Sequence, residues 1–344
     1  FIFKDISNKY WFEILKRSKL GMCLYKQIPS SISHKYMAGT SQKFNNYFDE
    51  YDVLLVDKKV AKLYNINHNK MFIVDANEKS KSINTVLKIC NYLSQINFDK
   101  AYTLHVIGGG IVQDLGAFTS KIYKRGINWI FYPTTLLSQC DSCIGGKTAL
   151  NFNKLKNQLA LFSAPSKVII DINFLETLSK RDILSGYGEI IKLFLIGGNY
   201  FLNQLEDISI KRLIFNSLMI KKAIVEHDEF ESNLRKSLNL GHSFGHVIES
   251  MTNFKISHGE SVLLGTEIIN KLYGRDKNIS RILKKYTSLK KISSLDLDLL
   301  LKQLKTDKKV KNGIITFVVT LTPGNTVFID KKIELLNKKN TLYK

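Results

Sequence analysis

Short apolar runs rich in Val, Ile and Leu recur through the first half of the chain, separated by polar stretches or by apolar residues at helical spacing. DVLLVD (52–57) predicts a buried strand, KMFIVDANE (70–78) repeats the pattern, and SINTVLKICNYLSQI (82–96) carries its apolar residues three and four apart, as an amphipathic helix does. YTLHVIGGG (102–110) is a further strand ending in glycines, and IVQDLGAFTSKIY (111–123) is a helix after it. INWIFYPTTLL (127–137) and SKVIIDINFL (166–175) add two more strands. Strands separated by helices predict a parallel sheet with crossovers. From about residue 175 the pattern turns helical, in RDILSGYGEIIKLFLI (181–196), LIFNSLMIKKAIVEHDEF (213–230) and SVLLGTEIINKLYG (261–274), with a late strand or hairpin in GIITFVVTL (313–321). A chain of 344 residues is long for one core. The expected architecture is an α/β N-terminal domain with a parallel sheet, residues 1–170, and a mainly α-helical C-terminal domain, residues 171–344. Residues 1–45 mix helical and strand signals and are assigned no element.

Composition changes this picture little. Hydrophobic residues make up 44% and charged residues 24%, an ordinary globular balance, and no run of eighteen apolar residues is long enough to span a membrane. The N-terminal stretch lacks the layout of a signal peptide, so a cytoplasmic protein is the expectation. The 51 Lys and Arg against 30 Asp and Glu leave a charge of +21, read as a solvated surface of biased composition that is also compatible with an anionic small substrate. The lysines are spread along the whole chain, with no basic tail or arginine patch, and this argues against a nucleic-acid partner. Four cysteines (Cys23, Cys90, Cys140, Cys143) are too few for a disulfide scaffold, and CDSC at 140–143 has no second pair to complete a zinc site.

Candidate chemistry concentrates in three places. VIGGGIVQD sets Gly108, Gly109 and Gly110 between a strand and a helix, where glycine allows positive φ and lets backbone N–H groups approach a pyrophosphate. Gln113 stands where the third glycine of G-x-G-x-x-G would be, so the motif alone is equally a tight turn. CIGGKTALNFNKLKN (143–157) joins a Gly-Gly turn, Lys147 and an Asn/Lys-rich loop, a combination able to cradle an anion, although it is not a Walker A sequence. NLGHSFGHVIESMTNFKISHGE (239–260) holds His242, His246 and His258. On a helix His242 and His246 share a face, and three protein ligands suit a catalytic divalent metal. Glu189, an acid in an apolar helical stretch with Lys192 three residues on, is a candidate remote ligand.

Together these residues resemble the 3-dehydroquinate synthase family of the sugar-phosphate cyclase superfamily, from about residue 52 to 330. The resemblance rests on GGGIVQDLGAF, YKRG, PTTLLSQCDSCIGGKT, KN, SGYGEIIK, DEFESNLRKSLNLGHSFGHVIE, SHGE and DKK, in the family's order and spacing. It implies a dehydroquinate synthase-like fold, with a Rossmann-like NAD-binding domain, a helical metal-binding domain and an active site in the cleft between them. It implies that Glu189, His242 and His258 hold one zinc or cobalt ion and that His246 contacts substrate, whereas spacing alone would have made His246 a ligand. Asp57, Glu78, Lys81, Gly109, Gly110, Asp114, Thr134 and Thr135 fall on NAD-contacting positions. Asp141, Lys147, Asn157, Lys192, Lys221, Arg235, Asn239, His246 and one of Lys308 and Lys309 fall on substrate positions, and Arg125 on a residue lent across a homodimer interface. The implied reaction turns a seven-carbon keto-acid phosphate (DAHP) into 3-dehydroquinate, the second step of the shikimate route, by transient oxidation, phosphate loss, re-reduction and aldol closure. Three stretches depart from the family: QLALFSAP after Asn157, Phe194 for a usual glycine, and Ala76-Asn77 for Pro-Gly. The rival expectations are a cyclase acting on sedoheptulose 7-phosphate or glucose 6-phosphate, a metal-dependent alcohol dehydrogenase of related fold, and a basic binding protein without catalysis.

Overall fold

The computed structural model describes residues 48–153, 155–293, 295–305 and 312–332, which divide between Ser179 and Lys180 into two compact units. The unassigned residues 1–45 lie outside the described part.

The first unit is built on a parallel sheet. β1 (Val53–Asp57) is followed by a short helix α1 (Lys58–Leu63), whose first turn is capped by the Asp57 carboxylate accepting from the Lys59 amide at 2.7 Å. β2 (Met71–Val74), α2 (Ile83–Gln95), β3 (Thr103–Gly108), α3 (Gly110–Ile122) and β4 (Asn128–Pro133) follow. An antiparallel hairpin of β5 (Lys147–Phe152) and β6 (Leu155–Phe162) precedes the last sheet strand, β7 (Lys167–Val168). The five parallel strands run in the order β2-β1-β3-β4-β7. Leu54, Val56 and Ile107 from the sheet pack with Phe174 in a core that excludes water.

Two expectations change here. SKVIIDINFL forms only a two-residue strand, because Asp171 accepts the Asn173 amide at 2.9 Å and turns the chain into a tight helical turn over Ile172–Thr177. The Asn/Lys-rich stretch after Lys147 is a hairpin rather than a loop: along β5, Thr148 and Leu150 are buried while Lys147, Ala149 and Asn151 are more exposed, the period of a strand, which ends at the register shift before the exposed Phe152.

The second unit is mainly helical. α4 (Lys180–Gly197), α5 (Ile210–His227), α6 (His242–Met251), α7 (His258–Ile269), α8 (Lys277–Tyr286) and α9 (Leu297–Lys305) are joined by a closing hairpin of β8 (Ile314–Thr322) and β9 (Asn325–Lys332). The C-terminal part of α4, from Gly188 to Gly197, is buried on every side, which marks it as the central helix of the unit. Phe244 of α6 stacks on Phe317 of β8 with ring centroids 5.5 Å apart, tying the hairpin to the helices. Phe194, named above as a departure from the resemblance, is fully buried and lies against Phe201.

Candidate functional site

The helical unit brings three side chains together through backbone contact between its helices. A Cβ on Gly188 of α4 would stand 2.3 Å from the Gly259 carbonyl oxygen of α7, and one on Gly259 would stand 1.8 Å from that of Ser185. No larger residue fits at either crossing point. The Gly259 amide also donates to Ser185 Oγ at 3.1 Å. The residues beside these glycines, Glu189 and His258, are thereby forced together, with His258 Nε2 3.2 Å from Glu189 Oε1. α6 is held to α7 in the same manner, since a Cβ on Gly265 would lie 2.1 Å from the Gly241 carbonyl oxygen. This sets His242, the first residue of α6, with its Nε2 3.8 Å from Glu189 Oε1.

The donor atoms of Glu189, His242 and His258 all lie within 4.8 Å of one another. His242 Nδ1 is 3.1 Å from the Leu240 carbonyl oxygen, which can only accept, so Nδ1 carries the proton and Nε2 keeps its lone pair. His258 Nδ1 faces Glu249 Oε2 at 3.2 Å and is oriented by the same logic. Glu189 is 1% exposed and contacts the equally buried Lys192 ammonium one turn along α4. Burial by itself would lower the His258 pKa, but the Glu189 and Glu249 carboxylates outweigh it and hold the imidazole at about 9. The same carboxylates that favour the proton on His258 would favour a metal ion in its place, and such an ion would displace the Nε2 proton while Glu249 keeps the one on Nδ1. One carboxylate and two oriented imidazole nitrogens are a donor set that fits a divalent zinc-type metal.

The first unit offers a second arrangement, at the carboxyl ends of its strands. With β2 on one side of β1 and β3 on the other, the chain reverses direction across the sheet between β1 and β3, and ligands of open α/β sheets bind beyond such a switch point. Asp57 ends β1 there, and Gly108 ends β3. The Thr134 amide donates to the Gly108 carbonyl at 3.0 Å, which puts Thr134 and Thr135 beside the glycines. Positive φ is not what Gly109 supplies: its φ is −84°, and the need at Gly108 is space, because a Cβ would meet Val112 at 2.7 Å. A Cβ on Gly110 would meet nothing within 4 Å, so the first turn of α3 stays open to a pyrophosphate. Gln113, in place of the third glycine, donates to the Ser142 carbonyl and accepts from Ser142 Oγ, both at 2.6 Å. It ties α3 to the turn over Ser138–Ser142 that carries Asp141. These residues fit a dinucleotide such as NAD.

A family model described as 3-dehydroquinate synthase N-terminal matches residues 71–185, and one described as 3-dehydroquinate synthase C-terminal matches residues 186–310. The 3-dehydroquinate synthase of Pelagibacter ubique (strain HTCC1062) is 34% identical over 93% of this chain and 99% of its own. The chain belongs to the 3-dehydroquinate synthase family. Among solved structures, a 2-deoxy-scyllo-inosose synthase complexed with carbaglucose-6-phosphate, NAD+ and Co2+ shares the fold with a TM-score of 0.70 and 20% identity, covering 84% of this chain and 91% of its own. A 2-epi-5-epi-valiolone synthase from Streptomyces hygroscopicus, with NAD+ and Zn2+ bound, has a TM-score of 0.68 and 23% identity, covering 82% and 89%.

The remaining family positions sort by unit. In the first, Lys81 pairs with Asp114 at 2.6 Å and donates to Asn157 Oδ1 at 2.8 Å, so one ammonium joins two residues expected at the cofactor and one expected at the substrate. Glu78 neighbours them, with Lys156 at 3.5 Å. Asp141 is buried, Lys147 is exposed directly after the positive-φ glycines Gly145 and Gly146, and Arg125 is exposed on a turn of its own. In the second, Lys192, Lys221 and Arg235 are all buried, and the turn Leu234–Asn239 carrying Arg235 and Asn239 packs against α4 and α5. His246 lies one turn beyond His242, its ring 5.2 Å from that of His242 and 6.0 Å from that of His258, outside the three-residue donor group. Lys308 and Lys309 lie outside the described residues. Sequence reasoning missed Glu249, which orients His258, and Glu231, whose Oε1 accepts from Asn239 Nδ2 at 2.6 Å. Both stand inside stretches that carried the resemblance. Nothing local distinguishes them from surface acids, because their partners are eight and nine residues away on other elements.

Proposed function

We propose that this protein is a 3-dehydroquinate synthase, a lyase that converts DAHP to 3-dehydroquinate and phosphate in the shikimate route to aromatic amino acids. The observation that carries this reading is the meeting of Glu189, His242 and His258 beside the buried Lys192, in a chain of this family. Glu189, His242 and His258 hold the divalent metal, zinc or cobalt. Asp57, Glu78, Lys81, Gly109, Gly110, Asp114, Thr134 and Thr135 hold NAD along the carboxyl edge of the sheet. Bound there, the metal supplies a Lewis acid toward substrate hydroxyl and carbonyl oxygens, and NAD a hydride acceptor that is restored within each turnover.

The chain's own residues bind and orient. Lys192, Lys221 and Arg235 concentrate positive charge at buried positions, where attraction for the substrate carboxylate and phosphate is little screened. The Arg235 guanidinium donates to the Glu229 carbonyl, and this fixes the plane of a fork suited to bidentate pairing with a carboxylate. Asp141, Lys147, Asn157, Asn239, His246 and one of Lys308 and Lys309 complete the substrate contacts, and much of the catalysis is positional. Arg125 serves the substrate phosphate of a second copy in a homodimer, a role its exposed turn permits. The domain division in this reading is residues 1–170 for NAD and 171–344 for metal and substrate, and the enzyme works in the cytoplasm without a nucleic-acid partner. Among the described residues no helix is long and apolar enough to cross a membrane.

Incubation of the purified protein with DAHP, NAD and zinc, followed by NMR for phosphate and 3-dehydroquinate with sedoheptulose 7-phosphate in parallel, tests the reading. The expected result is turnover of DAHP that collapses in His258→Ala. Turnover of the sugar phosphate alone would move the assignment to another cyclase of the superfamily.

A further inference from the structure

We propose that Asn151 is a positioning residue: it locks the β5–β6 hairpin to segment 78–82 and thereby sets Lys81 and Asn157 for cofactor and substrate binding. This rests on the functional reading above, which assigns Glu78 and Lys81 to NAD and Asn157 to substrate.

Asn151 uses nearly all of its hydrogen-bonding capacity on this lock. Its backbone amide donates to the Lys81 carbonyl at 2.9 Å. Its side-chain Nδ2 donates to the Glu78 carbonyl at 3.1 Å and to Glu78 Oε1 at 2.9 Å. Its Oδ1 accepts from the Asn157 amide at 3.0 Å. The orientation of the carboxamide follows from its partners, since both Glu78 oxygens only accept and the Asn157 N–H only donates. Asn151 also sits where the hairpin ladder shifts register: Leu150 pairs with Leu159, but Phe152 pairs with Leu155. The extra residues on β6 put Asn157 at a φ of 54°, a conformation that asparagine tolerates but that needs a partner for its amide. Asn151 Oδ1 supplies that partner. Asn157 Oδ1 then accepts from Lys81 Nζ, whose other contact, Asp114, accepts the Ala149 amide of the same hairpin at 3.2 Å. Apart from the partly exposed Lys156–Glu78 ion pair at 3.5 Å, the links from Glu78 to Asn157 pass through Asn151 or through Lys81, whose backbone Asn151 holds.

The two halves of the carboxamide serve different partners, and this allows a separation. Asn151→Ala removes both. Asn151→Asp keeps an acceptor for the Asn157 amide but sets a carboxylate against Glu78. The proposal is tested by measuring NAD affinity by calorimetry, KM and kcat for DAHP, and the heat-unfolding midpoint, for the wild type, Asn151→Ala, Asn151→Asp, Asn157→Ala and the Asn151→Ala/Asn157→Ala double variant. For Asn151→Ala we expect a loss of about 10–100-fold in kcat/KM, the range usual for residues behind direct contacts. In the double variant the loss in kcat/KM should be smaller than the product of the two single losses, because residues acting through one another are not additive, and what it loses beyond Asn157→Ala should be NAD affinity, through Glu78. Asn151→Asp should weaken NAD at least as much as Asn151→Ala while disturbing the KM for DAHP less. Additive losses, wild-type NAD affinity in both single variants, or losses that only track the unfolded fraction would overturn the proposal. If the wild type binds NAD but does not turn over DAHP, the functional reading fails and the NAD measurements alone decide the lock. A wild type that binds no NAD removes both.

Discussion

The two units build their candidate sites by opposite means. In the first, Asp57, Gly108–Gly110 and Thr134–Thr135 stand at the carboxyl ends of parallel strands, so the main-chain topology places them and the side chains around them can vary. Gln113 in place of a glycine is accommodated by finding a new partner in Ser142. In the second unit, Glu189, His242 and His258 converge only because α4, α6 and α7 touch backbone to backbone at Gly188, Gly259, Gly241 and Gly265. A strand-end site is tolerant because the sheet's hydrogen bonds hold it. A helix-crossing site is brittle because interaxial distance holds it, and a single methyl group is enough to change that distance.

The sharpest way to break this contrast is Gly259→Ala. With a Cβ 1.8 Å from the Ser185 carbonyl, α7 must move off α4, and we expect a loss of about 3 kcal/mol or more of stability together with loss of zinc binding, read by urea titration and metal analysis. Next in size, Glu249→Gln leaves the helix crossing intact but weakens the hold on His258 Nδ1, and zinc affinity should fall about 10–100-fold by competition with a chromophoric chelator. A smaller effect belongs to Asp228, which shapes the loop leading to Arg235. Burial by itself would raise its pKa, but the amides of Arg235, Asn233 and Ser232 and the Ser232 hydroxyl bring it down to about 2. A carboxyl with a lowered folded-state pKa contributes stability above its usual value near 4, and that contribution is lost as pH falls through about 2. Asp228→Asn should therefore lower the melting temperature at pH 7, with the difference from wild type shrinking below pH 4. The smallest effect is expected from Gly110→Ala in the first unit. Its Cβ meets nothing, so stability should stay within about 0.5 kcal/mol of wild type while NAD affinity falls, by calorimetry. A Gly110→Ala variant as unstable as Gly259→Ala would dissolve the distinction between the two units.

Much of this molecule is legible in local pattern. The buried strands 53–57 and 103–108, the helices after them, and the shared helical face of His242 and His246 follow from periodicities of two and 3.6 residues, which need no knowledge of the rest of the chain. The hairpin at 147–162 was less legible, since its asparagines and lysines resemble a loop until Thr148 and Leu150 are seen buried on one face. The long strand expected at 166–175 did not form because one side chain, Asp171, captures a nearby amide, a contest that propensity does not resolve.

By itself, then, the sequence determined the order of elements, the glycine-bearing turns and the residue types able to bind a metal, because each depends on interactions within a few positions. Tertiary structure decided which histidines meet Glu189, which carboxylate stands behind His258, and why glycine is required at 188 and 259. Those outcomes rest on contacts between residues up to about seventy positions apart, in helices whose separation is set by the atoms that are missing at the crossing point. The helical period puts His242 and His246 on the same side of α6, and only the approach of α4 and α7 selects between them.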